Sequence, residues 1–342
     1  MPDAPQVLVT GGSGFIAGHL IAQLIADDYR VRTTVRKLDR ERHIRAILPG
    51  TDGGRLQVVV ADLTTDDGWP DAVRGCSFVQ HVASPFPARR PDNEDDIIVP
   101  ARDGTLRVLR AATEAGVRRV VITSSFAAIG YSRKTSGTAF DETDWTDASD
   151  PVSPYVKSKT LAERAAWQFA ARSGTPELAV VNPVGVFGPV LGGDMSTSVR
   201  IIDGLLHGRP PVLPRASFAV VDVRDVADLL LRAMTNPLAA GQRYLAAADQ
   251  PVALPEIAAI LRAGLGPGAA DVPRREVPDW VIHAAARLVP SLREFTGLLG
   301  EPKTLTSAKA VTQLGWQPRP VADTVVATAQ SLLRLAAAAT GR

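Results

Sequence analysis

Apolar and polar positions along the first half of the chain follow two alternating periods. Short β-branched runs at Gln6 to Thr10, Val31 to Val35, Leu56 to Val60, Phe78 to Val82 and Val120 to Thr123 are interleaved with helical patterns. The helical stretches fall at Phe15 to Asp27, Arg40 to Leu48 and about Val99 to Ala115, with only a short turn after the third run. Such alternation predicts βαβ units and a parallel sheet. Nearly continuous apolar strands, as in Val117-Arg-Arg-Val-Val-Ile-Thr123, suit a sheet covered on both faces. A helix through Tyr155 to Arg172 and a strand at Ala179 to Asn182 extend the series.

Beyond Pro183 the pattern loses its regularity. Prolines stand at 189, 210, 211 and 214 around a helix near Ser198 to Leu206, which marks an excursion out of the sheet. The chain is expected to return at Phe218 to Val221, pass into a helix begun by Val223-Arg-Asp-Val-Ala-Asp228, and add a last strand at Arg243 to Ala247. From Pro251 onward the pattern is helical and loop-rich, with stops at Gly266-Pro267-Gly268 and Pro290. The expectation is an α/β fold: a doubly wound parallel sheet formed by 1–182 plus 218–250, with a smaller, discontinuous C-terminal α/β substrate domain formed by 183–217 plus 251–342.

Composition narrows the function classes. The 342 residues are 45% hydrophobic and 22% charged, enough for a sizeable core. Thirty-eight basic against 36 acidic residues leave a formal charge of +2, too weak a field to point to nucleic acid. The single cysteine, Cys76, reads as a small buried residue, and no Cys and His cluster has metal-ligand spacing, so no metal site is expected. The start, Met1-Pro-Asp-Ala-Pro, lacks the pattern of a signal peptide, and no apolar run reaches membrane-spanning length. A cytoplasmic protein with no membrane partner is expected.

The first strand runs into Thr10-Gly-Gly-Ser-Gly-Phe-Ile-Ala-Gly18, which opens a helix. Glycines there let backbone approach a pyrophosphate, and the free N–H groups at the helix start stabilise the anion. Gly11, Gly14, Phe15 and Ile16 are therefore candidate cofactor contacts in a Rossmann sheet. The end of the second strand discriminates between cofactors: an NAD site places a carboxylate on the ribose, whereas NADP needs cations for the 2′-phosphate. Arg36 and Lys37 stand there, which points to NADP(H), while Asp39 two residues on is close enough to compete in a shifted loop. Asp62 and Leu63 follow the third strand, where Asp62 serves either the adenine amino group or a helix cap and Leu63 packs on the ring. After the fourth strand, Val82, Ala83 and Ser84 supply small residues for close backbone passage beside the cofactor.

Reduction of a carbonyl leaves charge on oxygen and calls for a proton donor and an oxyanion stabiliser. Tyr155 and Lys159 stand four residues apart, on one face of a helix, where the ammonium favours the phenolate and lowers the tyrosine pKa. With four Tyr and six Lys in the chain, random placement gives about 0.07 such pairs. At the end of the fifth strand, Ser125, with Ser124 as the alternative, offers a hydroxyl to the substrate carbonyl. His19 and His81 read as structural, and the acid run Asp92 to Asp96 as a solvated helix start.

Together these residues resemble the extended short-chain dehydrogenase/reductase superfamily, in its dihydroflavonol 4-reductase, cinnamoyl-CoA reductase and microbial aldehyde or ketone reductase branch. The pieces are Val9 to Ala17, Thr34-Val-Arg36, Asp62-Leu63, His81 to Pro85, Thr123-Ser-Ser125, Tyr155 to Glu163, Val181-Asn-Pro183, Val221 to Ala227 and Leu314-Gly-Trp316. The resemblance implies a catalytic set of Ser125, Tyr155 and Lys159, with Lys159 also on the nicotinamide ribose. It further implies that Pro183 to Val186 line the nicotinamide and that Ser198 contacts a cofactor phosphate. An Asn that many members use in a proton relay has no counterpart in Val99 to Thr105.

The expected activity is NADPH-dependent reduction of an aldehyde, ketone or ketoester, with the proton from Tyr155. A nucleotide-sugar epimerase or dehydratase shares fold and triad, but Arg36 in place of an acid argues against it. A dinucleotide-sensing regulator has no need for the full Ser, Tyr and Lys set. Loops at Pro85 to Arg90, Phe126 to Thr138 and Val190 to Val199, with Phe86, Phe126, Phe187 and Met195, predict a largely apolar small-molecule carbonyl substrate. Either a monomer or a homodimer is compatible with the pattern.

Overall fold

A computed structural model describes residues 4–48, 54–85, 93–132, 137–172, 174–192, 195–248, 251–288, 299 and 302–339. The chain divides into two compact units, the first formed by Met1–Pro183, Val226–Ala246 and Thr306–Gln317, the second by Val184–Asp225, Ala247–Leu305 and Pro318–Arg342.

The alternating half of the sequence builds the first unit. Its strands are β1 (Gln6–Val9), β2 (Arg30–Val35), β3 (Leu56–Val60), β4 (Phe78–His81), β5 (Arg119–Thr123) and β6 (Glu177–Pro183). The intervening helices are α1 (Phe15–Ala26), α2 (Glu41–Ile47), α3 (Trp69–Val73), α4 (Asp95–Glu114) and α5 (Pro154–Ala170). A late strand, Gln242–Ala246, joins the edge beside β6, giving seven strands in the order late strand, β6, β5, β4, β1, β2, β3. Every pairing in this sheet is parallel.

Burial explains why the strands read as unbroken apolar runs. Leu8, Val79, Val120, Ile122, Leu178 and Val180 point to one face and pack against Trp69 of α3, Val108 and Leu109 of α4, and Ala166 and Phe169 of α5. Residues of opposite parity face a helix at Val223–Thr235, where Gln80 Nε2 donates to Leu230 O at 2.9 Å and Arg119 Nη1 donates to Ala233 O at 2.9 Å. Helices on both faces leave the sheet no solvated side. The doubly wound α/β architecture is thus present.

Helix α4 starts four residues before the expected Val99, because Ile97 and Ile98 are buried and extend its apolar face. Pro100 sits in its second turn and forfeits one backbone bond there. The expected turn after β3 contains α3, with Pro70 in its first turn.

The second unit holds β7 (Gly185–Phe187), α6 (Thr197–Leu206), β8 (Leu213–Pro214), β9 (Ser217–Phe218) and β10 (Val220–Asp222). The helix from Val223 is α7, and the late strand of the large sheet is β11. Then come β12 (Val252–Ala253), α8 (Leu254–Leu265), β13 (Glu276–Val277) and a long helix, Val321–Ala339. The expected return to the sheet at Phe218 to Val221 does not occur. That stretch breaks into β9 and β10, which pair with β12 and β7, so the chain re-enters the large sheet only at β11. The segment at 188–190 is tied to the long helix: Gly188 N donates to Thr328 Oγ1 at 2.7 Å and Val190 N to Ser331 Oγ at 2.9 Å.

Leu8 is fully buried in β1, flanked by β2 and β4. Leu8→Ala is expected to lower the unfolding free energy by about 2–5 kcal/mol, read from urea denaturation, and a loss below about 1 kcal/mol would place the core elsewhere.

Candidate active site

Strand order reverses between β1 and β4, which lie side by side while the next strands, β2 and β5, are added toward opposite edges of the sheet. Open parallel sheets present their ligand crevice at such a point, beyond the carboxyl ends of the strands. The glycine turn after β1 and the segment 82–85 after β4 meet there.

Their junction is organised by Thr10. Its Oγ1 accepts from the backbone N–H groups of Val82 at 3.0 Å and Ala83 at 2.9 Å, and donates to His81 Nδ1, 3.0 Å away. The opposite ring nitrogen of His81 lies 3.3 Å from Thr105 Oγ1, whose own proton goes to Ala101 O. Thr105 can therefore only accept, which fixes the proton on Nε2 and leaves Nδ1 to accept from Thr10. Burial pushes His81 down to about 3, with the charge of Lys159 adding to the effect. His81 is thus a structural residue, as its place in an apolar strand predicts, and Thr10 is a partner that the glycine motif alone does not single out. The available signal was a histidine in an otherwise apolar strand with a threonine at the end of its neighbour.

Gly11 adopts φ +74°, and a Cβ there would meet the Cβ of Ala83 at 3.0 Å. Gly14 caps α1 with no side-chain bond, and the first turn carries no acid. The N–H groups of Phe15 and Ile16 thus open α1 without a competing side chain, an arrangement that fits a dinucleotide's pyrophosphate. Arg36 and Lys37 are exposed at the end of β2, and Asp39 is exposed in the short 3-10 turn Leu38–Arg40. Asp62 accepts from Thr64 N at 2.9 Å and Thr64 Oγ1 at 2.8 Å, so its carboxylate closes a local turn. Those bonds, with lesser help from Arg36 and Arg107, hold it below the usual carboxylate range against the opposing effect of burial. Leu63 packs against α4 at Gly104, where a Cβ would come within 2.7 Å of its own. Val82, Ala83 and Ser84 are half-buried.

Ser153 caps α5, accepting from Val156 N at 3.4 Å, and Pro154 fixes its first turn, so Tyr155 sits at the helix start and Lys159 one turn later. Across from them Ser125 is extended, at φ −162°, and caps the 3-10 turn Phe126–Ala128 by accepting from Ala127 N at 3.1 Å. Its hydroxyl also bonds the Tyr155 side chain. Ser124 points the other way, into a buried carboxylate at Glu163. Ser125, Tyr155 and Lys159 therefore all belong to the first unit, beside Pro183 at the end of β6.

One electrostatic expectation fails. Tyr155 is raised, not lowered: burial dominates, the bond from Ser125 opposes it, and Lys159 is not among the causes. Lys159 is itself pushed down to about 8 by burial, partly offset by the carboxylate of Glu163.

In the second unit Val186 lies on β7 and Ser198 is half-buried on α6, 3.6 Å from the place a Cβ on Gly185 would take. Phe187 is fully buried and Phe126 packs edge-on against Phe140 at 5.9 Å, so both are occupied within the protein, while Met195 is exposed. Phe86 and Arg90 lie outside the described residues. Among the described residues no group of His, Cys, Asp and Glu could hold a metal ion, and no helix is long and apolar enough to cross a membrane.

Comparison with known proteins agrees with this geometry. The family model described as NAD dependent epimerase/dehydratase matches residues 7–247. A cinnamoyl-CoA reductase of Medicago truncatula is 38% identical over 70% of this chain and 75% of its own. A ketoreductase of Aspergillus niger is 34% identical over 81% of this chain and 87% of its own. The crystal structure of yeast methylglyoxal/isovaleraldehyde reductase Gre2, complexed with NADPH, superposes with a TM-score of 0.81 at 27% identity, covering 97% of this chain and 99% of that one.

The His81 arrangement makes stability depend on acid. An unfolded chain protonates this ring near 6.5, whereas the fold holds it neutral to about 3. Between those values the unfolded state binds the extra proton, so stability is complete above 6.5 and falls as pH drops through the window, by up to about tenfold in the folding equilibrium per pH unit. Urea midpoints measured against pH should show this slope, and His81→Asn should reduce it by about one proton. An identical slope in the variant would exclude the ring as its source.

Proposed function

The chain belongs to the NAD dependent epimerase/dehydratase family, the extended short-chain dehydrogenases and reductases, and on that basis we propose that it is an NADPH-dependent carbonyl reductase acting on an aldehyde, ketone or ketoester. The observation that carries the proposal is the bond between the Ser125 hydroxyl and Tyr155, with Lys159 one helical turn away. The reductase names of the relatives, and the NADPH bound to the yeast enzyme, support the same assignment.

The cofactor would lie with its pyrophosphate over Gly11, Gly14, Phe15 and Ile16, its 2′-phosphate facing Arg36 and Lys37, and its adenine near Asp62 and Leu63. Val82, Ala83 and Ser84 would border it, with Pro183 toward the nicotinamide. When bound, the nicotinamide supplies a hydride to the carbonyl carbon. Ser125 holds the carbonyl oxygen by hydrogen bonding, and the Tyr155 hydroxyl gives its proton to that oxygen as charge develops there. The phenol, which burial raises above its ordinary value, carries its proton at neutral pH and is the donor for that oxygen. Lys159 faces the phenolate left behind, and would also bond the nicotinamide ribose.

Two substitutions test the assignment. Tyr155→Phe should lower NADPH consumption on a panel of aldehydes, ketones and ketoesters by about 10²–10⁴-fold, with NADPH still bound; full activity would remove Tyr155 from the chemistry. Arg36→Ala should raise KM for NADPH by about tenfold, the worth of one charge-assisted contact, and leave KM for NADH nearly unchanged. An equal rise for both cofactors would mean that Arg36 does not read the 2′-phosphate.

A further inference from the structure

Beneath the proposed site lies a carboxylate that the reaction as described does not use. Glu163 is 1% exposed and receives four donors. Ser124 Oγ at 2.5 Å and Asn182 Nδ2 at 2.7 Å donate to Oε2, while Arg243 Nε at 2.6 Å and Trp167 Nε1 at 3.3 Å donate to Oε1. A carboxylate offers about four acceptor sites, so its capacity is filled. Arg243 cannot drift away: its Nη1 donates to Glu142 O at 2.8 Å and Asp144 O at 2.9 Å, and its guanidinium stacks 3.8 Å over Trp145.

Two of the partners of Glu163 adjoin Ser125. Ser124 precedes Ser125 in the chain, and the Asn182 amide that bonds Glu163 also donates to Ser125 O at 3.1 Å. Glu163 follows Lys159 by one helical turn and Tyr155 by two, which places all three along one face of α5. A buried ion pair is seldom the most stable filling for such a place, since apolar side chains of similar volume often serve as well.

We propose that Glu163 is a positioning residue for the reduction: its carboxylate fixes the Ser125 backbone through Ser124 and Asn182, and stands as the counter-charge of Lys159. The catalytic half of this rests on the reductase assignment; the counter-charge half does not. The titratable groups coupled to Lys159 are Glu163 from its own helix and His81 from β4, with Arg243 of β11 on Oε1 of Glu163, and Tyr155 stands one helical turn before Lys159. With His81 neutral, Glu163 supplies the negative charge among them.

The test is a titration of Lys159 in the whole protein by NMR of labelled lysine side chains. Only six lysines are present in the sequence, and Lys159→Arg assigns the resonance. Glu163→Gln keeps the shape and one acceptor but removes the charge. The midpoint of Lys159, about 8 in the native protein, should fall by about one pH unit in this variant. The alkaline limb of carbonyl reduction should move down by the same amount, with kcat at neutral pH reduced about tenfold and KM for NADPH little changed.

If Glu163→Gln fails to fold because Arg243 is left uncompensated, Glu163→Gln with Arg243→Met removes both charges and carries the same titration. A folded variant in which neither midpoint nor limb moves overturns the proposal. A native protein that reduces no carbonyl would instead sink the reductase assignment, and the NMR midpoint would still decide whether Glu163 is the counter-charge.

Discussion

A parallel sheet whose two faces are both covered has one place where its ends stay open, and the rest of the first unit is arranged around it. The chain starts in the middle of the sheet at β1 and winds outward first through β2 and β3, then through β4, β5 and β6. The chain therefore leaves β1 and β4 toward opposite edges of the sheet. Thr10 joins what the topology separates, since one hydroxyl serves two N–H groups of the β4 loop and the ring of His81. Gly11 then passes Ala83 at a distance no side chain would permit.

The legible parts of this fold were those written in local patterns. Apolar patterning located all seven strands of the large sheet along the chain, and the glycine turn fell at the start of α1 because both signals occupy contiguous residues. Patterns failed where pairing is decided by distant partners. Phe218 to Val221 has the composition of one strand, yet its halves pair with β12 and β7, segments that carry almost no strand signal themselves.

The site divides in the same way. The Tyr155 and Lys159 spacing and the serine pair were visible because each is local, but which serine faces the tyrosine depends on where Glu163 lies. Ser124 takes the carboxylate and so leaves Ser125 to Tyr155. The assumed pull of Lys159 on Tyr155 failed for a related reason: helical spacing specifies who is near, whereas desolvation, set by the whole surrounding fold, decides the direction of the shift.

The arginine that completes the Glu163 cluster comes from β11, 80 residues further along the chain. Everything else that bonds Glu163 has been synthesised by Asn182, while the second unit's first segment intervenes before Arg243 emerges. Without that strand the Glu163 carboxylate would lack its one guanidinium partner among the described residues. The first unit is therefore sealed across its chain interruption by a guanidinium from the edge strand, so the strand added last in sequence neutralises a charge buried under the strands that came first.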